Sequence, residues 1–137
     1  MGDGRFAEAA APYGLDSLRD ARGLAVSDFD GDGDLDFILN NYNAPTQYFV
    51  NRAASGHWLR ERESNRDGIG AIVRVRAGSL RQMRVITAGD GYASQYSRLA
   101  HFGLGGNSII DEFQIAWPSG KQQSFRLVPA GRIIDDR

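Results

Sequence analysis

Alternation of apolar and polar residues over short stretches dominates the second half of the chain. Between residues 71 and 77 the valines occupy every second position, while Arg74 and Arg76 lie on the opposite face. This period of two is typical of a β-strand with one buried face. A turn at Gly78 and Ser79 leads into a further predicted strand, residues 81–87. We therefore predict a β-hairpin here.

The same pattern recurs toward the end of the chain. Apolar residues occupy every second position from Phe113 to Trp117, and after a turn Phe125 and Leu127 form a facing set. We predict a hairpin of residues 113–117 with 122–128. Short strands separated by turns favour a sandwich or barrel over parallel strands joined by helices. The predicted fold class is mostly β, an antiparallel β-sandwich or barrel-like domain.

The first part of the chain has a different organisation. An irregular lead-in, with at most one helical turn near Pro12, precedes a set of short apolar stretches. Three strands are predicted, at residues 23–27, 35–39 and 47–50. The composition then changes at residues 53–56. We place a domain boundary near residue 55, with the lead-in and one β repeat in 1–55 and a β domain in 56–137.

Between the first two of these strands lies an acidic loop, residues 28–36. It has a carboxylate at every second position and Gly33 at the sixth. Closely spaced carboxylates repel one another unless a cation lies among them, and exclusively oxygen donors favour Ca²⁺ before Mg²⁺. The glycine permits a sharp turn at little steric cost. The sequence thus predicts a calcium loop, flanked by strands and not by the helices of an EF-hand.

The predicted ligands follow from their positions in the loop. Asp28, Asp30 and Asp32 supply side-chain oxygens from positions one, three and five. Asp34, at position seven, supplies its carbonyl, so we expect its carboxylate to point to solvent. Asp36, at position nine, closes the coordination sphere. A solvated acidic turn is the alternative. We expect bound Ca²⁺ to stabilise the fold and not to act as a sensor, because no amphipathic helix pair is predicted.

Composition limits the classes of function. The chain has 137 residues and the mixture of a soluble globular domain. It has no cysteine, which excludes disulfides, thiolate metal sites and cysteine nucleophiles. The loop holds five of the 17 acidic residues, and the other 12 are opposed by 16 basic ones. This dispersed surplus does not indicate nucleic-acid binding. We also predict no signal peptide in this sequence and no membrane span.

Basic and aromatic residues outside the loop are candidates for ligand binding. Six arginines of the predicted strands could gather on one sheet face and engage an anionic partner such as a sulfated glycan. They are Arg60, Arg62, Arg74, Arg76, Arg81 and Arg84. We single out Arg74 and Arg76, together with Tyr92 and Tyr96, whose rings could stack on a sugar. A solvated basic face and ordinary core packing of the aromatic residues are the alternatives.

Motifs for catalysis are weak. His57 and His101 lie in no sequence context that suggests a nucleophile. The glycine-rich run 103–107 precedes no predicted helix, so we predict a turn and not a phosphate loop. Carboxylate pairs of the glycosidase kind are recognised only by their separation in space. We predict no catalytic residues and no enzyme activity. An accessory domain or fragment of a carbohydrate-active enzyme is the alternative.

Two sets of motifs make the chain resemble known modules. Residues 24–52, with the acidic loop followed by Phe37-Ile38-Leu39-Asn40-Asn41 and the ending Phe49-Val50-Asn51-Arg52, resemble one FG-GAP or VCBS repeat of the integrin-like propeller type. From about His57 to Ile134 the chain resembles the ASPIC/UnbV domain. The motifs of this second set are His57-Trp58-Leu59, residues 64–71, residues 89–95, residues 101–105 and Trp117-Pro118-Ser119-Gly120.

The resemblance implies an extracellular, calcium-binding, non-enzymatic protein similar to the cartilage acidic protein family, secreted or on the cell surface. It implies that Asp28, Asp30, Asp32, Asp34 by its carbonyl, and Asp36 bind the metal. We expect a glycan or an extracellular protein as the partner.

One propeller-type repeat cannot close a propeller, which needs about four to eight blades. We therefore expect either a C-terminal fragment of a longer protein or a lone repeat packed on the β domain. The exposed strand edges could pair with another chain and give an oligomer. A purely structural C-terminal cap of a β-propeller is the alternative to a binding function.

Overall fold

The computed structural model describes residues 6–53, 56–62, 68–89, 91–92, 94–95 and 97–135, with the backbone alone for Glu61, Arg62 and Asp135. The lead-in forms one turn of 3-10 helix, Ala11–Tyr13, with a proline in its first turn, as predicted. The strands are β1 (Ala21–Ser27), β2 (Asp36–Asn41), β3 (Gln47–Phe49), β4 (His57–Arg62), β5 (Ile72–Ala77), β6 (Leu80–Val85), β7 (Ala100–Gly105), β8 (Ile109–Ala116), β9 (Gln122–Pro129) and β10 (Arg132–Asp135). Within the described part of the chain, no helix has the length and apolar character needed to span a membrane.

The strands form three sheets. Strands β1, β2 and β3 form an antiparallel meander, the N-terminal sheet. Strands β10, β4 and β7 form the mixed sheet, in which β10 runs parallel to β4 and β7 antiparallel to it. The four-stranded sheet has the order β6-β5-β8-β9 and is antiparallel throughout. The prediction of a mostly β fold is confirmed.

Two parts of the fold-class prediction need correction. The described strands do not close into a barrel, because β6 and β9 lie at the edges of the four-stranded sheet and β7 and β10 at the edges of the mixed sheet. The pairing is also not purely antiparallel. A short turn after β9 brings the N–H of Gly131 to the carbonyl of Trp58 at 2.7 Å, and β10 then continues alongside β4 in the same direction.

One hydrophobic core serves the mixed and the four-stranded sheets together. Its fully or nearly fully buried members are Leu59, Ala71, Val73, Val75, Ala77, Ile86, Ala100, Phe102, Leu104, Ile110, Phe113 and Ile115. They come from β4 and β7 on one side and from β5 and β8 on the other, with Ala71 preceding β5 and Ile86 following β6. Burial of apolar surface therefore stabilises these two sheets as one unit. The N-terminal sheet contributes none of these residues.

Both hairpins predicted from alternation are confirmed. In β5 and β6, Arg74 is opposite Met83, and the turn falls at Gly78 and Ser79. In β8 and β9, Phe113 is opposite Phe125, with the ring centroids 5.8 Å apart. Cross-strand aromatic pairs of this kind stabilise a sheet and fix its register.

The alternation predicted for β9 is wrong at Leu127. This residue is 72% exposed, whereas its neighbour Val128 packs against the core. Leu127 has a φ of 52°, in the left-handed region that non-glycine residues rarely adopt. This conformation breaks the regular two-residue repeat, so the side chain expected to face inward points to solvent.

The glycine-rich run is also a strand for most of its length, and not the predicted turn. Strand β7 continues through Gly105, and the chain turns only afterwards, where the N–H of Asn107 donates to the carbonyl of Leu104 at 3.1 Å. Leu104 is fully buried between the exposed Gly103 and Gly105. Because glycines lack side chains, they hid the period of two in the sequence.

In the N-terminal sheet the three predicted strands are confirmed. Phe37 of β2 lies opposite Phe49 of β3, and their rings stack with centroids 4.7 Å apart. The proposed boundary near residue 55 lies outside the described residues. The order of the described strands places the acidic loop between β1 and β2, as the sequence predicted.

Candidate functional site

The acidic loop folds back on its first residue. Asp28 accepts the N–H of Gly31 on Oδ1 at 2.6 Å and the N–H of Gly33 on Oδ2 at 2.8 Å. Within the loop, Oδ1 of Asp32 accepts the N–H of Asp34 at 2.8 Å. These short-range bonds from backbone to carboxylate stabilise the turns of the loop. They hold the carboxylates at fixed positions on a single short segment.

Asp36 anchors the other end of the loop. It is fully buried, and it accepts the N–H of Asn51 at 2.8 Å, the N–H of Phe29 at 3.0 Å and the hydroxyl of Tyr48 at 3.1 Å. Burial by itself raises the pKa of Asp36, but these hydrogen bonds outweigh it, so the pKa is lowered overall. The ionised carboxylate thus ties the loop to β3 and to the segment that follows.

Three of the five predicted ligands converge. One carboxylate oxygen each of Asp28, Asp30 and Asp36 lies within 4.8 Å of the others. Ca²⁺ takes oxygen ligands at about 2.3–2.6 Å, so oxygens around one ion lie up to about 5 Å apart. The three carboxylates therefore fit a single hard cation. Asp32 is exposed and Asp34 is half-buried, and neither belongs to this group of three.

The prediction that the Asp34 side chain points to solvent is wrong. Its Oδ2 is buried and has no hydrogen-bond partner in the part of the chain that the structure describes. Burial raises the pKa of the Asp34 carboxyl, and the neighbouring carboxylates, Asp32 first and then Asp28, raise it further. A buried carboxylate without a partner is costly unless it is protonated or a cation lies nearby. The donor set therefore fits a hard cation at this loop.

Two residues of β4 lie directly against the loop. Arg60 forms an ion pair with Asp28, in which the two side chains are 10% and 0% exposed. The guanidinium carbon of Arg60 lies 4.6 Å from the ring centroid of Trp58. A Cβ at Gly33, which has a φ of 100°, would overlap the indole of Trp58. The backbone of the acidic loop at Gly33 thus packs directly against the side chain of Trp58 in the mixed sheet.

These contacts could not be predicted from the sequence. In the sequence Trp58 belonged to a family motif and Arg60 to the set of candidate arginines, and they lie 22 and 24 residues beyond the end of the loop. Tyr48 was indicated only by its place in a predicted strand, and Asn51 only by its place in the ending of the propeller-type motif. The loop motif identified the carboxylates, whereas the tertiary fold selects the side chains that surround them.

The six arginines considered as one anion-binding face are divided by the structure. Arg74 and Arg76 lie on the outer face of β5, and Arg81 is directly opposite Arg76 on β6. Arg84 is opposite the buried Val73 and so lies on the other face of the sheet. The remaining two belong to the mixed sheet: Arg60 lies against the loop, and of Arg62 only the backbone is described.

Arg74 and Arg76 border a cavity of about 320 Å³ together with Arg81. The charge of Arg76 is partly offset by Asp111 at 3.6 Å and Glu112 at 3.7 Å. An anion that approached Arg76 would therefore also meet carboxylates. Ligand binding at Arg74 and Arg76 stays a prediction.

Tyr92, one of the two tyrosines singled out for stacking, is not brought to these arginines. Tyr92 is 81% exposed and does not line the cavity of Arg74 and Arg76. Tyr96 lies outside the described residues. Trp117 packs half-buried against the core and donates its indole N–H to Gln123.

A second cavity, of about 290 Å³, lies where the acidic loop meets the mixed and four-stranded sheets. We call it the seam cavity. Its basic lining residues are Arg60, Arg84, Arg98 and His101. Burial lowers the pKa of His101, and the positive charges of Arg60 and Arg84 lower it further, against the opposing effect of Asp28. No motif in the sequence indicated this cavity, because its walls come from distant segments.

Comparison with known proteins places the chain in a family. Residues 61–135, more than half of the chain, match the family model described as ASPIC and UnbV. The chain therefore belongs to the ASPIC and UnbV family, as the motifs of its second half indicated. The resemblance of residues 24–52 to a propeller-type repeat concerns a part of the chain that lies before the matched region.

The curated relatives are proteins named cartilage acidic protein 1. The Mus musculus protein is 36% identical over 110 residues, which cover 74% of this chain and 17% of that protein. The Homo sapiens protein is 34% identical over 119 residues, which cover 81% of this chain and 18% of that protein. The chain thus spans less than a fifth of the length of these relatives.

Proposed function

We propose that this chain is a non-catalytic extracellular β module that binds Ca²⁺ as a structural staple and binds a glycan or a protein. The observation that carries the calcium proposal is the convergence of Asp28, Asp30 and Asp36 within 4.8 Å. The buried, unpartnered oxygen of Asp34 supports it, because a nearby cation would offset the cost of that carboxylate.

Calcium at this position would act on the whole molecule. Asp36 connects the loop to Tyr48 and Asn51, and Asp28 connects it to Arg60 of the mixed sheet. A ligand that binds only the folded state stabilises it, by about 2.7 kcal/mol at 100 times its dissociation constant. The ion would therefore hold the N-terminal sheet in place beside a core to which that sheet contributes none of the buried apolar residues.

The extracellular and non-catalytic parts of the proposal are supported by the family. The relatives are named for cartilage, a tissue rich in extracellular matrix. We further propose that residues 24–52 are one propeller-type repeat. Its described part has three strands, whereas a complete propeller blade has four.

A structural cap for a propeller is a second candidate, favoured by the exposed side of the N-terminal sheet. A cleft of about 760 Å³ is lined there by Leu35, Phe37, Tyr48 and Phe49 among others. An apolar cleft outside the core is a surface on which further β structure could pack. A cap of this kind would bind neither a glycan nor a soluble partner.

The alternative, an accessory domain or fragment of a carbohydrate-active enzyme, predicts turnover of a polysaccharide.

A calcium titration by calorimetry tests the proposal directly. The wild-type chain is expected to bind one Ca²⁺ and to melt at a higher temperature in excess calcium than in excess chelator. Asp30→Asn removes a charge from the converging group at an exposed position, so it should weaken calcium binding at least tenfold. Asp20→Asn is the matched control, because Asp20 is an exposed aspartate that pairs with Arg22 away from the loop.

Two results would count against the calcium staple. One is an equal melting temperature in calcium and in chelator, and the other is equal calcium affinity of the Asp30 and Asp20 variants.

A further inference from the structure

The seam cavity concentrates positive charge. Three guanidinium groups line it, those of Arg60 on β4, Arg84 on β6 and Arg98 just before β7. The carboxylate that lines it is Asp28, which is paired with Arg60. The described lining thus carries a surplus of about two positive charges. Clefts lined by one sign of charge attract ligands of the opposite sign.

Two nitrogen atoms of the lining residues are buried and have no hydrogen-bond partner among the described residues. They are Nε of Arg60 and Nδ1 of His101. Arg60 and His101 are direct partners across β4 and β7, so their side chains leave the sheet on the same face. A buried donor without a partner, such as the Nε–H of Arg60, destabilises the fold, and a bound acceptor would remove that cost. Arg60, the more buried of the two, is nine-tenths buried in its side chain.

The other two arginines have no carboxylate partner in the part of the chain that the structure describes. Arg84 donates to the carbonyl of Met83 and to Gln82, and its guanidinium lies 5.5 Å from the ring centroid of Phe102. Arg98 is exposed and makes no ion pair with a described residue. Ser27 and Ser97 add hydroxyl groups to the lining. Donors therefore surround the cavity on several sides.

From this arrangement we propose that the seam cavity binds a tetrahedral oxyanion, the sulfate group of a sulfated saccharide. The donors come from β4, β6, β7 and the segment before β7, so they can surround a tetrahedral group. A planar carboxylate fits this arrangement less well, because a single arginine engages it side-on. The apolar part of the lining, with Val26, Leu35 and Leu99, can face the ring carbons of the sugar. The volume approaches the lower end of the range of small-molecule sites.

This inference extends the binding function proposed above and does not depend on calcium being bound. It assigns the ligand to a different surface from the one with Arg74 and Arg76. There the nearby Asp111 and Glu112 oppose an anion, whereas in the seam cavity the carboxylate of Asp28 is already paired.

The test uses the whole chain and calorimetric titration with sodium sulfate at constant ionic strength, once in calcium and once in chelator. The double variant Arg84→Gln/Arg98→Gln removes two exposed cationic groups of the lining and leaves the buried Arg60 pair intact. Its sulfate affinity is expected to fall at least tenfold. Arg74→Gln/Arg81→Gln removes the same charge from the outer face of the sheet and is expected to leave the affinity within twofold of wild type.

A sulfated disaccharide and its desulfated form distinguish the sources of the anion. Tighter binding of the sulfated disaccharide than of inorganic sulfate supports the saccharide, with the desulfated form inactive. Equal affinity for the disaccharide and for free sulfate would overturn the saccharide assignment. Equal losses in the two double variants would overturn the site itself, because they would show a diffuse charge effect. If the chain binds calcium but not sulfate, only the inference about the seam cavity fails. If it binds sulfate but not calcium, only the proposal that Ca²⁺ stabilises the fold fails.

Discussion

At Gly33 the backbone of the acidic loop lies directly against the side chain of Trp58 in the mixed sheet. Gly33→Ala should destabilise the protein through two effects. The positive φ costs about 1–3 kcal/mol for a non-glycine residue, and the overlap with Trp58 adds about 1–3 kcal/mol. Gly31→Ala is the control, since Gly31 also has a positive φ but nothing within 4 Å of the new Cβ. Urea unfolding of both variants, in chelator, measures the difference.

Equal destabilisation of the two glycine variants would mean that the contact with Trp58 contributes nothing. A larger loss in Gly33→Ala, with a normal fold by circular dichroism, would show that the loop is held by shape as well as by charge.

His101 predicts a dependence of stability on pH. Its pKa is lowered by burial, then by Arg60 and Arg84, while Asp28 opposes them. The unfolded state therefore binds a proton more readily than the folded state. Stability should fall as the pH drops below about 6.5, the ordinary pKa of histidine, and should stop falling below the folded-state pKa. The free energy of unfolding therefore decreases between these two pKa values and is unaffected by His101 at neutral pH.

The measurement is urea unfolding between pH 7.5 and pH 5 for wild type, His101→Gln and His57→Gln. His101→Gln should flatten the dependence below pH 6.5. His57→Gln keeps His101 and alters an exposed side chain, so it should follow the wild-type slope. A wild-type slope in His101→Gln would contradict the assignment.

At the scale of elements, the ion pair of Asp28 with Arg60 couples the loop to β4. Arg60→Met leaves a buried carboxylate without its cation and should cost about 3–5 kcal/mol. Asp28→Asn in the same background should recover part of that loss. A double-mutant cycle by urea unfolding in chelator gives the coupling energy, expected at about 1–3 kcal/mol. Strictly additive effects would show that the two elements are not coupled through this pair.

Strands could be predicted from the sequence wherever apolar and polar side chains alternate with a period of two. β5 and β8 were readable because large apolar residues alternate with polar ones. β7 was not, because Gly103 and Gly105 carry no side chain, and β9 was misjudged where Leu127 takes a positive φ. Local patterns also say little about which strands become neighbours, so the parallel pairing of β10 with β4 was missed.

At the scale of the whole molecule, the candidate site was predictable only as far as it is local. The carboxylates of the loop belong to one short segment, and their spacing was sufficient to identify them. Arg60, Arg84, Arg98 and His101 come from three strands and a loop, and only the fold brings them to one cavity. The same holds for Trp58, which belongs to a strand beyond the loop. Its indole leaves no room for a side chain at position 33.

The parallel pairing of β10 with β4 also determines how the β domain would bear mechanical force. If the molecule is pulled through its N-terminal sheet and its C-terminal end, the load enters β4 at its first residue and β10 at its last. Parallel strands loaded in this way are sheared along each other, and the four residue pairs from Leu59 with Arg132 to Arg62 with Asp135 resist together. A hairpin pulled from its open end would instead lose its pairs one at a time. Because forced unfolding is governed by the unfolding rate, this geometry should make the domain a mechanically resistant link.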